Sequence, residues 1–189
     1  MIVLSIPMAV GATLLADRIV AFMSGDKYST FTGSVMVLQI LIWAAVFIFL
    51  SSAYGAVATS SNKQSMAMRI AGICMALNFV LNLALIPFYS YDGAAIATLL
   101  TELTSLLLYV LVLDKSGFKL SRGIFIGTVK VVLASLLMAA YILLLRDLNL
   151  FLLVATAAVI YLVTIYLFRG LDKDDMKILL SFLAKQSNK

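Results

Sequence analysis

The chain has 189 residues, of which 63% are hydrophobic and 12% charged. Its mean hydropathy is +1.10. A soluble domain carries about twice that share of charge, so this balance excludes an ordinary soluble enzyme, a disordered chain and a disulfide scaffold. At roughly 20 residues per helical crossing, the chain has room for about six membrane spans. Histidine is absent, which removes the usual general base and the commonest zinc ligand. The single cysteine, Cys74, has no internal disulfide partner and reads as a small core or lipid-facing residue. No cofactor is expected.

Six apolar segments follow one another, near 2–23, 34–58, 65–88, 93–113, 124–145 and 150–168. Their continuous apolar character predicts helices rather than barrel strands, which alternate in and out over about ten residues. The first segment lacks a basic leader region and is too long for a signal peptide's apolar core. Breaks fall at Ser24-Gly25-Asp26-Lys27-Tyr28 and at Ser60-Ser61-Asn62-Lys63-Gln64. Further breaks are expected at Pro87, followed by Ser90-Tyr91-Asp92-Gly93, at Asp114-Lys115-Ser116-Gly117, and at Arg146-Asp147-Leu148-Asn149. Gly and Asn supply left-handed turns there, and Pro cannot continue a helix ladder.

Charge predicts orientation. Eleven Lys and Arg residues fall on the even-numbered loops and the tail, against three (Arg18, Lys27 and Arg146) on the odd-numbered side. The positive-inside rule then puts both termini in the cytoplasm, as an even number of spans requires. Beyond the membrane domain, 1–170, the tail 171–189 reads as an amphipathic helix lying on the membrane surface. There Met176, Leu179, Leu180 and Leu183 recur at helical spacing among Lys173, Lys177 and Lys185. The fold class expected is all-α: a polytopic membrane protein of six transmembrane helices plus this interfacial helix.

Ionisable groups inside a span are costly and so mark candidate sites. Glu102 lies about 13 Å into the fourth segment, near the midplane, and Lys130 about 10 Å into the fifth from the other surface. The two are candidates for a pair or a shared polar cavity. The alternative is that Lys130 snorkels and that Glu102 is protonated or bonded to Thr98, Thr101 or Ser105. Arg69, one turn into the third segment, reads either as snorkelling or as a contact for an anionic substrate. Asn78 and Asn82 are four apart and share a helix face, where amides tie helices together. Gly93, Ala94, Ala95 and Ala97 offer a small-residue packing surface. The aromatic residues read as interface anchors and packing groups rather than a cofactor box. No phosphate-cradling loop, nucleophile–base pair or metal-ligand cluster is apparent, and no nucleic-acid partner is expected.

The stretch from Asn78 through Asn82 to Pro87, followed by Gly93-Ala94-Ala95-Ile96-Ala97-Thr98, resembles a segment of polysaccharide and oligosaccharide-lipid flippases. These belong to the multidrug/oligosaccharidyl-lipid/polysaccharide exporter superfamily. Phe22-Met23-Ser24-Gly25-Asp26-Lys27-Tyr28 is similar to the end of a span in the same family. The resemblance covers residues 1 to about 168. It implies a transporter of two pseudo-symmetric lobes that moves lipid-linked sugars across the cytoplasmic membrane by alternating access. Six spans would correspond to the last six of a 14-helix member. The chain is then expected to be a partial lobe, inactive as a lone monomer and needing a missing lobe or a second chain. Its expected partners are membrane lipids and a lipid-linked sugar. Two other readings stand beside this one: a non-transporting scaffold of a glycan-assembly complex, and a fragment of a cation-coupled drug antiporter with Glu102 as its coupling carboxylate.

Overall fold

The computed structural model describes residues 1–25, 33–115, 122–146 and 148–168. Every regular element among them is helical: α1 (Ile2–Ser24), α2 (Gly33–Ser60), α3 (Gln64–Lys115), α4 (Arg122–Leu144) and α5 (Leu150–Leu167). All five are long and apolar enough to cross a membrane. The expected surface helix at 171–189 lies outside the described residues. The chain divides into two compact units, Met1–Arg122 and Gly123–Lys189.

Hydrocarbon offers a helix no hydrogen-bonding partner, so each polar side chain must find one within the protein. The hydroxyls here turn back on their own helices. Thr13 donates to the Ala9 carbonyl at 2.7 Å, Thr98 to Ala94 at 2.9 Å and Thr104 to Leu100 at 2.7 Å. In the second unit Ser135 donates to Val131 at 2.8 Å and Thr164 to Ile160 at 2.7 Å. Such back-bonding lets a hydroxyl lie in an apolar environment at little cost.

The third and fourth predicted segments form one element. α3 spans 52 residues, and its only non-helical residue is Ser90 (φ 48°, ψ −126°). As a straight rod α3 would be about 78 Å long, more than twice the hydrocarbon thickness. Instead it doubles back. Asn78 donates to the Thr101 hydroxyl at 3.2 Å, although a straight helix would hold those residues about 35 Å apart. The Cys74 thiol lies within hydrogen-bonding reach of the Ser105 hydroxyl. Both pairs share a midpoint between Tyr89 and Ser90, so residues 64–89 and 91–115 are antiparallel arms of a helical hairpin.

The break falls within the expected stretch, at Ser90. The helix continues through Pro87 to Tyr89 and turns at Ser90. Proline at 87 removes the ladder hydrogen bond to the Leu83 carbonyl, a loss that membrane helices accommodate. The left-handed residue is Ser90, although Gly93 is only three positions away. Gly93 is used for space instead. A Cβ added there would sit 2.6 Å from the Leu85 carbonyl oxygen of the first arm. Two expected turn residues among those described act as such, and residues 26–28, Ser116, Gly117 and Asp147 lie outside the described residues. Gly25 ends α1 with φ 51°. Asn62 takes φ 60° after α2, and Lys63 N–H donates to Ala58 while Asn62 N–H donates to Thr59. That bond pair is a Schellman cap.

In the first unit α2 packs on both α1 and α3. The Gln39 amide donates to the Thr13 carbonyl of α1 at 3.1 Å. Gly33 at the start of α2 meets Tyr91, and Gly55 near its end meets the Tyr109 hydroxyl. α2 therefore runs parallel to the second arm of α3. In the second unit, Asn149 caps α5 by accepting from Phe151 N–H at 3.3 Å. α5 buries Leu153, Ala157, Tyr161 and Ile165, one residue per turn. α4 buries Val131, Ala134, Ser135, Met138 and Ile142 at the same helical spacing.

Gly93→Ala forces the neck of the hairpin apart and is expected to cost about 1–3 kcal/mol, the usual price of overpacking. Gly72→Ala, on the first arm, meets nothing within 4 Å and is expected to be neutral or slightly stabilising. Thermal unfolding of the two variants in detergent checks the contrast.

Candidate functional site

The seam between the two arms of α3 is the most polar feature of the first unit. Asn82 donates to both the carbonyl and the side-chain oxygen of Asn78, each at 2.9 Å. Asn78 donates across the seam to the Thr101 hydroxyl. Thr101 in turn donates to the Ala97 carbonyl at 2.8 Å. The result is one directed chain of hydrogen bonds, Asn82 to Asn78 to Thr101 to Ala97, with Cys74 and Ser105 one turn further along. Small residues make the close approach possible: Ala95 and Ala97 are buried at 3% and 0% exposure. Gly93 is also buried, and Ala94 is half-buried.

Thus Asn78, Asn82, Gly93, Ala94 and Ala95 come together as one packing motif. Pro87 is exposed on the first arm, before the turn. Arg69 is exposed as well. By helical phase it stands well round the first arm from Ile70, Cys74 and Asn78, away from the seam. Glu102 is half-buried on the second arm, about 16 Å from the start of that arm. Lys130 is half-buried on α4, in the other unit.

One residue that the sequence reading passed over stands out. Trp43 is the only tryptophan. It sits ten residues into the 28-residue α2, about 15 Å from the helix start, and is 38% exposed. Interface anchoring, the general expectation for aromatic residues, places tryptophan at helix ends. Only helix length and phase could have revealed the exception.

The MatE family model matches residues 1–84. The match covers α1, α2 and nearly all of the first arm of α3, including Asn78 and Asn82. No curated protein matches the chain. The apolar helices together with the MatE match identify a membrane-embedded protein with a MatE-like portion. MatE proteins are transporters, members of the superfamily to which the Asn78–Thr98 segment bears its resemblance.

Replacing Asn78 by Leu removes the cross-seam bond and leaves Asn82 only the backbone carbonyl of residue 78 to donate to. The expected loss of stability is about 0.6–2 kcal/mol, as for other interhelical amides in lipid. Asn78→Gln is expected to recover part of it. Steric-trap or denaturant unfolding in bicelles measures both.

Proposed function

We propose that the chain forms part of one lobe of a flippase that moves lipid-linked oligosaccharide or polysaccharide units across the cytoplasmic membrane by alternating access. The MatE match over residues 1–84 carries the reading. The Asn78–Asn82–Pro87 and Gly93–Ala95 segment supports it, because the residues that resemble the flippase pattern are those that lock the hairpin. On this reading α1, α2, the two arms of α3, α4 and α5 make six crossings, and both termini lie in the cytoplasm. A rigid hairpin suits a lobe that rocks as a body, since alternating access moves packed bundles against each other. A single lobe supplies one wall of a central pathway, so translocation requires a second lobe or chain.

A cation-coupled antiporter fragment is the second reading, favoured by Glu102. Its carboxyl lies deep within an apolar helix, where an ionisable group marks an ion or proton pathway by default. Arg69 is the candidate contact for an anionic headgroup at the cytoplasmic side.

Reconstitution into liposomes with a fluorescent lipid-linked sugar tests the function. The lone chain is expected to be inactive, and the chain combined with a complementary lobe is expected to translocate the sugar. Full activity from the monomer would refute the partial-lobe reading. In the active assembly, Glu102→Gln is expected to abolish the pH dependence of transport if the carboxyl couples it. An unchanged pH profile would leave Glu102 a packing role only.

A further inference from the structure

The contacts of α3 place Glu102 where three helical segments meet. It lies eleven residues after Tyr91 and seven before Tyr109. At about 100° per residue, it stands within about 20° of both on the second arm. Tyr91 meets Gly33 and the Tyr109 hydroxyl meets Gly55, so Glu102 shares the side of the arm that packs on α2. The same register brings it level with residues 44–48 of α2, where Ala44 is buried, with the buried Ser51 close beyond. On its other flank is the first arm. Glu102 lies within electrostatic reach of the Cys74 thiol, which also meets the Ser105 hydroxyl. Tyr109 is within similar reach of Cys74. Glu102, Ser105 and Tyr109 of the second arm thus converge on one residue of the first.

The groups on the two sides of Glu102 differ in what they can do with a proton. Toward the turn at Ser90, Thr98 and Thr101 have their hydroxyl hydrogens committed to the Ala94 and Ala97 carbonyls. Beside them stand Asn78 and Asn82, whose amides donate and accept hydrogen bonds without gaining or losing a proton. Toward the open end of the hairpin, at Gln64 and Lys115, stand Ser105 and Tyr109, whose hydroxyls both accept and donate. Glu102, Ser105 and Tyr109 are spaced three and four apart, successive neighbours along one helix face. The elements packed against Glu102 bring no fixed charge to it. α2 carries no Asp, Glu, Lys or Arg, and Tyr54 is its one titratable group. On the first arm Arg69 stands away from the seam and Tyr89 lies at the turn, which leaves Cys74 as the titratable group facing Glu102. Asp92 on its own arm is about 15 Å away along the axis.

We propose that Glu102 is a proton-binding site loaded from the open end of the hairpin through Tyr109 and Ser105, and closed toward the Ser90 turn by the Asn78–Thr101 chain. A proton reaching the Tyr109 oxygen releases that hydroxyl's own hydrogen to Ser105, and the Ser105 hydrogen passes to the Glu102 carboxylate. Both hydroxyls end neutral, and the carboxylate becomes a neutral acid. The inference rests on the reading of Glu102 as an ion or proton group and deepens it by naming the ligand, its route and the side from which it comes.

The test uses the full chain in sealed vesicles of uniform insertion and N,N′-dicyclohexylcarbodiimide, which reacts with protonated carboxyls in hydrocarbon. Mass spectrometry reads the Glu102 adduct, and an impermeant amine reagent identifies the side on which Lys63 lies. Raising the pH on that side alone is expected to abolish the adduct, and raising it on the other side to leave the adduct intact. After a pH jump on the Lys63 side, Ser105→Ala and Tyr109→Phe are each expected to slow the change in adduct about a hundredfold, the low end of what a positioned proton-transfer group contributes. The final yield is expected to be unchanged, and Ser105→Thr to keep the native rate. An adduct governed by the pH of the opposite side, or of both sides alike, would overturn the proposal while leaving Glu102 a proton group. So would native rates in both hydroxyl-deleted variants. No adduct at any pH would overturn the proposal and the reading of Glu102 beneath it together.

Discussion

The bond between Asn78 and Thr101 is the interaction on which the first unit depends. A continuous α3 would be a 52-residue apolar rod longer than the hydrocarbon is thick. With that bond, and with Cys74 beside Ser105, two arms are zipped in one register around Ser90. The placement of the other parts follows. The second arm presents Tyr91 and Tyr109 to the glycines of α2. α2 holds α1 through Gln39. The hairpin is thus the spine against which the rest of the unit is registered.

That arrangement obeys one rule of membrane chemistry: a polar group is admitted to hydrocarbon only with a partner in hand. Hydroxyls meet the rule locally, by donating to their own helix one turn back. The Asn82 amide meets it within its own arm, whereas Asn78 reaches Thr101 on the other arm and fixes the register in doing so. The turn illustrates a division of labour. Ser90 takes the positive φ at a cost of about 1–3 kcal/mol, and Gly93 provides the space for backbone to meet backbone. The neck is held by packing and the arms by hydrogen bonds.

Much of this was legible in the residues. Apolar runs locate helices because a crossing needs about twenty continuous apolar residues, and their observed ends lie within a few positions of the expected ones. Asn62 and Gly25 read correctly as left-handed caps because those residues adopt positive φ at low cost. The position of the hairpin turn was harder to place. Pro87 looks like a terminator, yet the helix runs two residues beyond it before Ser90. Glycine at 93 reads as a packing residue, and the backbone that it meets shows only when both arms are in place. Asn78 and Asn82 declared a helix–helix contact by spacing alone, though not the partner, because Thr101 is one of several hydroxyls on the second arm. Trp43 was missed for a related reason. Composition says that aromatic residues favour interfaces, and only its distance from both helix ends sets it apart.

The hairpin is tested most directly by a cross-link that only the doubled-back form permits. In the full chain, Ser105→Cys provides a second thiol opposite the native Cys74. Oxidation in vesicles, read by mass spectrometry of the joined peptides, is expected to give an intramolecular 74–105 disulfide. The disulfide should be absent when Cys74 is replaced by Ala. A continuous α3 would hold those residues about 46 Å apart. Failure to bridge, or bridging only between separate chains, would contradict the account.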